Sequence, residues 1–503
     1  MNKPKLYRRP QVKLTERHIK ESSIWADDLF HRSECAKMLT DLMTDGEDSL
    51  VVAVNGSWGS GKSFFLRRWY NELIQTNSVA GKTDEGCAIY YNAWEDDFFD
   101  DPFIPLLVQL RKPFVFAGTG DSLWKSIVDN AKVIARESSV AIVNGLIKKV
   151  TEIDFSAVKR ECFQTETEDA LETYEKMTAS RKAIRDGLAK LAQDRFVRTG
   201  HYTVLIIDEL DRCSPVFAVK LLERIKHIFS VPYLLFVLGI DKEQFSHTLQ
   251  KFYGMIDVNN YLHRFIDVDF SLPEPNTTAY LNSLWKAYGI ESYYQSVDAR
   301  KRILTPLRRA RKILAYFSRM HSLSLREIET VFKRFVLIFR TKVDSRRLHP
   351  EFVAGLIMLK FLNPRIYERW ISGRLQVVDA IDTLIPVPDV RNFPEAESVV
   401  AAFYAVHDGQ VAQVAAATNA FLNLARRGAC RASEIKVAVP RFMGGYSAKK
   451  LKDFAGKVAK AKTGTGGCNG CTAVEMSYVA KRIDFVAGDF GNHVGLPDGV
   501  AIA

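Results

Sequence analysis

Four stretches of the chain are apolar without polar interruption, and each has the length of a single strand: Leu50–Val54 (LVVAV), Ala88–Tyr91 (AIYY), Thr203–Ile207 (TVLII) and Leu234–Ile240 (LLFVLGI). Continuous apolar runs, as opposed to alternating ones, suit strands of a parallel sheet covered on both faces. Between them the spacing is helical. Ser214–Phe229 places Leu221, Leu222, Ile225, Ile228 and Phe229 on one face, the stripe of a helix packed on a core. Lys301–Met320 lines up Leu307, Ile313, Leu314 and Phe317 opposite Arg308, Arg309, Arg311 and Lys312, as one helix or as a pair broken near Pro306. The stretch from 165 to 193 combines helical apolar spacing with charge pairs four residues apart. These alternations predict an α/β fold with a parallel sheet flanked by helices, followed by a helical region.

The loop after the first strand carries the chemistry. Gly56-Ser57-Trp58-Gly59-Ser60-Gly61-Lys62-Ser63 fits G-x-x-x-x-G-K-[ST] at every fixed position. Glycines allow positive φ and turn backbone N–H groups inward on a phosphate, and the helix KSFFLRRWYNELI adds the positive end of its dipole. Lys62 is placed to reach the β- and γ-phosphates, and Ser63 to ligate Mg²⁺. The strand TVLIID ends in Asp208 and Glu209: the first suits the Mg²⁺ water shell, the second the attacking water. That acidic pair favours hydrolysis over transfer to an acceptor. The LLFVLGI strand ends in Asp241, either to sense the γ-phosphate or its water, or to cap the helix that follows.

Length and composition fit this reading. A chain of 503 residues, 47% hydrophobic and 26% charged, is long enough for several domains with large cores. Its seven cysteines do not form a disulfide framework for that length, the N-terminus lacks a signal-peptide core, and no apolar run is long enough to span a bilayer. The expectation is a soluble, cytoplasmic protein. The net charge of +11 is concentrated: residues 1–20 hold seven Lys/Arg against Glu16, and residues 301–347 hold fourteen against three acids. Such clusters suit nucleic acid, headgroups or an acidic partner, or are simply solvated helix faces.

Taken in order, GSWGSGKS, YYNAWEDDFFDDPFIPLL (90–107), IIDELDRC, FVLGIDKEQF and NNYLHRFIDVDFSLPEP (259–275) resemble the KAP family of P-loop NTPases, an additional-strand branch near the AAA+ and STAND proteins. The segment 25–43 resembles that family's lead-in helix. The resemblance implies ATP hydrolysis with Mg²⁺, coupled to a conformational or assembly switch among protein subunits that self-associate through the core. It further implies a role for Arg264 as an arginine finger acting in trans, and for Arg326 as a sensor at the start of a lid helix; an ordinary surface arginine is the alternative for each. Prokaryotic members of this type occur in anti-phage systems, and the ATPase subunits of Qat-type systems are the nearer resemblance. Trp94, in NAW, reads as a core tryptophan bracing its strand end; the alternative is that it packs beneath the nucleotide, with Glu95 near the attacking water. Many relatives carry transmembrane helices between the two motifs; here a mixed-charge helical insertion fills that place.

The resulting division is a basic arm over 1–24, the core in two parts over 25–109 and 201–275, an insertion over 110–200, a helical lid and tail over 276–391, and an unassigned region over 392–503. Two further readings stay open. The basic lid over 301–347 and the stretch 449–462 could hold nucleic acid without sequence preference, making the chain a nucleic-acid-dependent motor. Alternatively, ATP could hold an assembly together with little turnover. Thr341–Asp344 offers T-K-x-D, reminiscent of a guanine-reading motif, but in a helical context; Cys468 and Cys471 form one C-x-x-C, a weak zinc signal.

Overall fold

The computed structural model describes residues 24–26, 28–44, 48–79, 82–83, 87–99, 101–115, 121–137, 170–297, 304–340, 350–385, 399–400, 403 and 483. The basic arm, Thr341–Asp344, the stretch 449–462 and the Cys468/Cys471 pair lie outside those residues. The described residues divide into two compact units, one up to Glu274 and one from Pro275 onward.

Besides a short antiparallel pair, Ser78–Val79 with Lys82–Thr83, the first unit has the longer strands β1 (Val51–Asn55), β2 (Ala88–Asn92), β3 (Thr203–Asp208), β4 (Leu234–Ile240) and β5 (Val268–Ser271). They form one sheet in the order β2-β3-β4-β1-β5, with every neighbouring pair parallel. The four apolar runs are therefore the four consecutive strands of the sheet centre and one edge. The strand β4 lies between β1, which leads into the phosphate loop, and β3, which ends in Asp208. That interposed strand is the additional strand expected from the resemblance.

The alternation of side chains in each strand sends residues to opposite faces. Val51 and Ala53 of β1, Leu205 and Ile207 of β3, and Phe236 and Leu238 of β4 enter one core. Val52, Val54, Val204, Ile206, Leu235 and Val237 enter the other. Helices α1 (Arg32–Met43) and α2 (Lys62–Thr76) cover the second face with Leu39, Phe65, Leu66 and Trp69. The first is covered by α3 (Phe103–Val115), α4 (Asp121–Glu137), α5 (Ala170–Thr199), α6 (Pro215–Arg224) and α7 (Lys242–Tyr253). The short helix α8 (Val258–Leu262) precedes β5. Each fully buried Leu or Phe contributes about 2 kcal/mol of transfer free energy, so three layers of such residues fix the strand ends firmly.

The insertion between β2 and β3 is helical where it is described. Helices α4 and α5 pack together through Ile127, Ala131, Ile184 and Leu188, and a Cβ at Gly187 would meet Ile127 Cγ1 at 2.9 Å. No helix among the described residues is long and apolar enough to cross a membrane.

The second unit is helical: α9 (Thr277–Ala287), α10 (Ile290–Val297), α11 (Leu304–Met320), α12 (Leu325–Arg340), α13 (Pro350–Leu362), α14 (Pro364–Ile371) and α15 (Val377–Leu384). Helix α11 is unbroken, because Pro306 falls in its first turn, where the missing N–H has no intrahelical partner to lose. Helix α13 is buried on every side, Glu351 and Lys360 included. Ser324 and Glu327 form a reciprocal capping box at the start of α12.

Candidate functional site

The C-terminal ends of the strands line up by register: Asn92 of β2 faces Asp208 of β3, which faces Gly239 of β4. Val54 of β1 pairs with that same Gly239, and Asn55 with Ile240. At this edge the chain leaves β1 into the phosphate loop. Gly59 and Gly61 have φ of 81° and 95°, the left-handed region open to glycine, and the helix α2 starts at Lys62. Gly56 is needed for a different reason: a Cβ there would meet Ser60 Oγ at 2.9 Å and Lys62 Cγ at 3.2 Å. The loop is thus closed tightly around its own lysine.

Lys62 is buried, and its Nζ donates to the carbonyls of Gly56 and Ser57. Burial lowers its pKa below the ordinary lysine value, against the attraction of Asp211, Asp241 and Asp208. Asp211 moves the opposite way, raised by burial against the pull of Lys62 and hydrogen bonds from Trp58 and Asp241. Desolvation therefore outweighs mutual attraction for both charges. Such a site gains when a polyanion and its cation restore the charge balance. Ser60 Oγ is buried with no hydrogen-bond partner inside the same loop. The donor set, the cradle around Gly56 and this orphaned hydroxyl fit the phosphates of a nucleotide. Ser63 follows Lys62 in α2 and is partly exposed.

Asp208 is almost wholly buried, with Oδ1 accepting from the Glu209 N–H at 2.9 Å and Oδ2 accepting from the Tyr90 hydroxyl. Tyr90 in turn accepts from Arg67 Nε at 3.2 Å, and burial beside the Asp208 carboxylate raises its pKa far above the usual phenol. The space for the Asp208 carboxylate comes from Gly239, where a Cβ would meet Asp208 Oδ1 at 2.8 Å and Leu66 Cδ1 at 2.5 Å. Glu209 has φ of 62°, a left-handed conformation costing a non-glycine residue roughly 1 kcal/mol or more. Its Oε1 pairs with Arg212 Nη1 at 3.0 Å.

Asp241 resolves into two tasks. Oδ1 accepts from the Gln244 N–H at 3.2 Å and caps α7, as the helix-capping reading expects. Oδ2 accepts from the Trp58 N–H at 2.8 Å and pins the phosphate loop. Asp211, absent from the sequence-based candidates, completes this brace: Oδ2 accepts from the Trp58 indole at 2.6 Å and from the Asp241 N–H at 3.0 Å. Its signal in the sequence is only its place three residues beyond Asp208, which many helix-start acids share.

Trp94 corrects the expectation of a core tryptophan. It is 51% exposed, on the 3-10 turn Ala93–Asp96, with the Arg212 guanidinium 5.6 Å from its ring centre. The strand ends at Asn92 and the chain turns there: Ala93 takes the buried place on the turn, and Trp94, one residue on, is left on its open side. The following loop is clasped to the start of α6, because Asp97 accepts from both the N–H and the hydroxyl of Ser214 at 2.9 and 2.8 Å.

Lys62, Asp208, Glu209, Asp241 and the loop residues Gly56–Ser63 thus gather at one sheet edge. Arg264 is exposed just past α8, with no salt bridge among the described residues and its charge near the Tyr261 phenol. Arg326 is exposed on the first turn of α12 in the second unit.

The phosphate loop, the acid-ended strand and the strand between them match a known pattern, and the P-loop domain of the KAP family aligns with residues 32–341. The chain belongs to the KAP family. It is a P-loop NTPase by domain and carries that domain's nucleotide-binding elements. This KAP chain is also similar to the phage T7 exclusion protein of Escherichia coli (strain K12), 22% identical over 266 residues, which cover 50% of this chain and 34% of the relative. The match therefore spans about a third of that relative's length.

Proposed function

We propose that this chain is a Mg²⁺-dependent ATPase that acts as a conformational or assembly switch in a multi-protein complex of the anti-phage kind. The observation that carries it is the meeting of Lys62, Asp208 and Glu209 at one sheet edge, behind a loop whose glycines leave room only for backbone and phosphate. In this reading Lys62 and the loop amides hold the β- and γ-phosphates, Ser63 and Asp208 hold Mg²⁺, and Glu209 takes a proton from the attacking water. Mg²⁺ would supply charge neutralisation at the phosphates. The defence context is supported by the likeness to the phage T7 exclusion protein. Self-association through the core is part of the proposal, with the exposed Arg264 as the residue to reach a neighbour's phosphate. Arg326 is proposed as a second phosphate sensor, from the helical unit. Within that unit Arg308 and Arg309 are drawn into ion pairs with Glu291 at 2.9 Å and Glu351 at 3.2 Å, which takes part of the basic face away from nucleic acid.

Steady-state ATP turnover tests the reading, with wild type beside Lys62→Ala, with and without double-stranded DNA. Turnover lost in Lys62→Ala and indifferent to DNA supports the switch. Stimulation by DNA, steeply weakened by salt, would replace it with a nucleic-acid motor. ATP binding without turnover under either condition would replace it with a scaffold.

A further inference from the structure

Glu209 and Arg212 stand three residues apart across the tight turn Leu210–Arg212, and the Arg212 N–H closes that turn on the Glu209 carbonyl at 3.1 Å. Glu209 has a left-handed backbone, and its Oε1 meets Arg212 Nη1 at 3.0 Å. The pair is only partly open to water, with side chains 18% and 29% exposed, so it is screened less than a surface pair. Arg212 is seated in turn on the ring of Trp94, a cation over an aromatic face. Trp94 has its own support, independent of the phosphate loop: Asn92 Oδ1 accepts its N–H at 3.2 Å, and Asn92 Nδ2 donates to Glu95 at 2.9 Å. The pairing of Glu209 Oε1 with Arg212 Nη1 at 3.0 Å therefore sets where the carboxylate points. Arg212 also lies close enough to Lys62 to depress its pKa, so the latch borders the phosphate site.

We propose that Arg212, held by Trp94, is a positioning residue that keeps Glu209 in a resting orientation and so sets the basal rate of hydrolysis. This rests on the assignment of Glu209 as the group that activates water. Loosening the latch frees the carboxylate, while the contacts that shape the phosphate-binding loop are made by Asp211 and Asp241 and not by Arg212. The aromatic support is half exposed on the protein surface, so anything that moves Trp94 acts on Glu209 through Arg212 alone.

The test compares kcat and KM for ATP in the full chain, wild type against Arg212→Ala, Trp94→Ala, Arg212→Ala/Trp94→Ala, Glu209→Gln and Arg212→Ala/Glu209→Gln. Both single changes at the latch are expected to raise kcat, Arg212→Ala by about fivefold or more, with KM within about twofold. The double latch variant should gain no more than Arg212→Ala, since both act through one contact. Arg212→Ala/Glu209→Gln should be inactive. A tenfold fall in kcat for Arg212→Ala, an unchanged kcat, or a raised KM overturns the latch. Should wild type be below detection, turnover appearing in Arg212→Ala upholds it, and none appearing overturns it. Turnover that survives in Glu209→Gln alone marks failure of the Glu209 assignment and not of the latch.

Discussion

The ends of β3 and β4 look alike in sequence and behave differently in structure. Each is a buried apolar strand with an acid at its end, Asp208 as the last residue of β3 and Asp241 as the first residue after β4. Asp208 is engaged by a backbone N–H from its own neighbour and by the Tyr90 hydroxyl from the edge strand. Asp241 spends both oxygens on backbone, one on α7 and one on the Trp58 N–H of the phosphate loop. Each oxygen of either carboxylate accepts one bond and keeps a lone pair; the donors differ, since Asp241 ties the phosphate loop to the start of α7, whereas Asp208 is tied to its own neighbour and to one side chain. The register sets Asp208 against Gly239, so Asp241 lies two positions further along, at the start of α7, and each acid takes its task from the donors that its place meets.

The comparison breaks most decisively at the catalytic step. Glu209→Gln should lower kcat by about a hundredfold or more while ATP still binds. Asp241→Asn, which can still accept one of its two bonds, should leave kcat at saturation within a fewfold and weaken ATP binding by about tenfold. Single-turnover kinetics beside equilibrium binding would separate the two; an equal loss of kcat in both would make Asp241 a reader of the γ-phosphate after all.

Gly239→Ala probes the space between the two strand ends. Its Cβ would press on Leu66 and the Asp208 carboxylate, so destabilisation of roughly 1–3 kcal/mol is expected, read as a lower denaturation midpoint. A midpoint equal to wild type would mean the sheet edge yields more readily than a packed core does.

Tyr90→Phe sharpens the contrast without emptying the core. Loss of one donor to Asp208 should shift the Mg²⁺ requirement for turnover by about threefold to tenfold, with the fold intact by circular dichroism. An unchanged Mg²⁺ titration would assign the hydroxyl to packing alone.

The smallest effect concerns protons. Burial lowers the Lys62 pKa in the free protein, and phosphates bound beside the ammonium favour its charged form. ATP binding is therefore linked to proton uptake on the alkaline side, and affinity should fall as pH rises through the lowered lysine pKa. Lys62→Arg, charged throughout, should flatten that slope in binding measured against pH. A slope that persists in Lys62→Arg would point to another group.

Much of the core was legible before any coordinates. The four apolar runs, the phosphate loop and the acidic strand end each depend on neighbours close in sequence: strand burial on unbroken apolar residues, phosphate binding on a loop of eight positions. Trp94 is not legible from its neighbours, because NAW ends an apolar strand and nothing local says that the following turn buries Ala93 and leaves the tryptophan outside. Asp211, Tyr90 and Gly239 carried no signal of their own. Their roles rest on contacts between residues far apart in the chain, 153 positions for Trp58 with Asp211 and 118 for Tyr90 with Asp208.

By itself, then, the sequence determined which segments are strands, that one loop is built for phosphate and that an acidic pair follows a second strand, because those are matters of local periodicity and loop closure. Only the tertiary structure decided that Gly239 makes room for the Asp208 carboxylate, that Asp241 braces Trp58, and that Arg212 on Trp94 holds Glu209. Strand order and register bring those atoms together, and neither is written in the residues that meet.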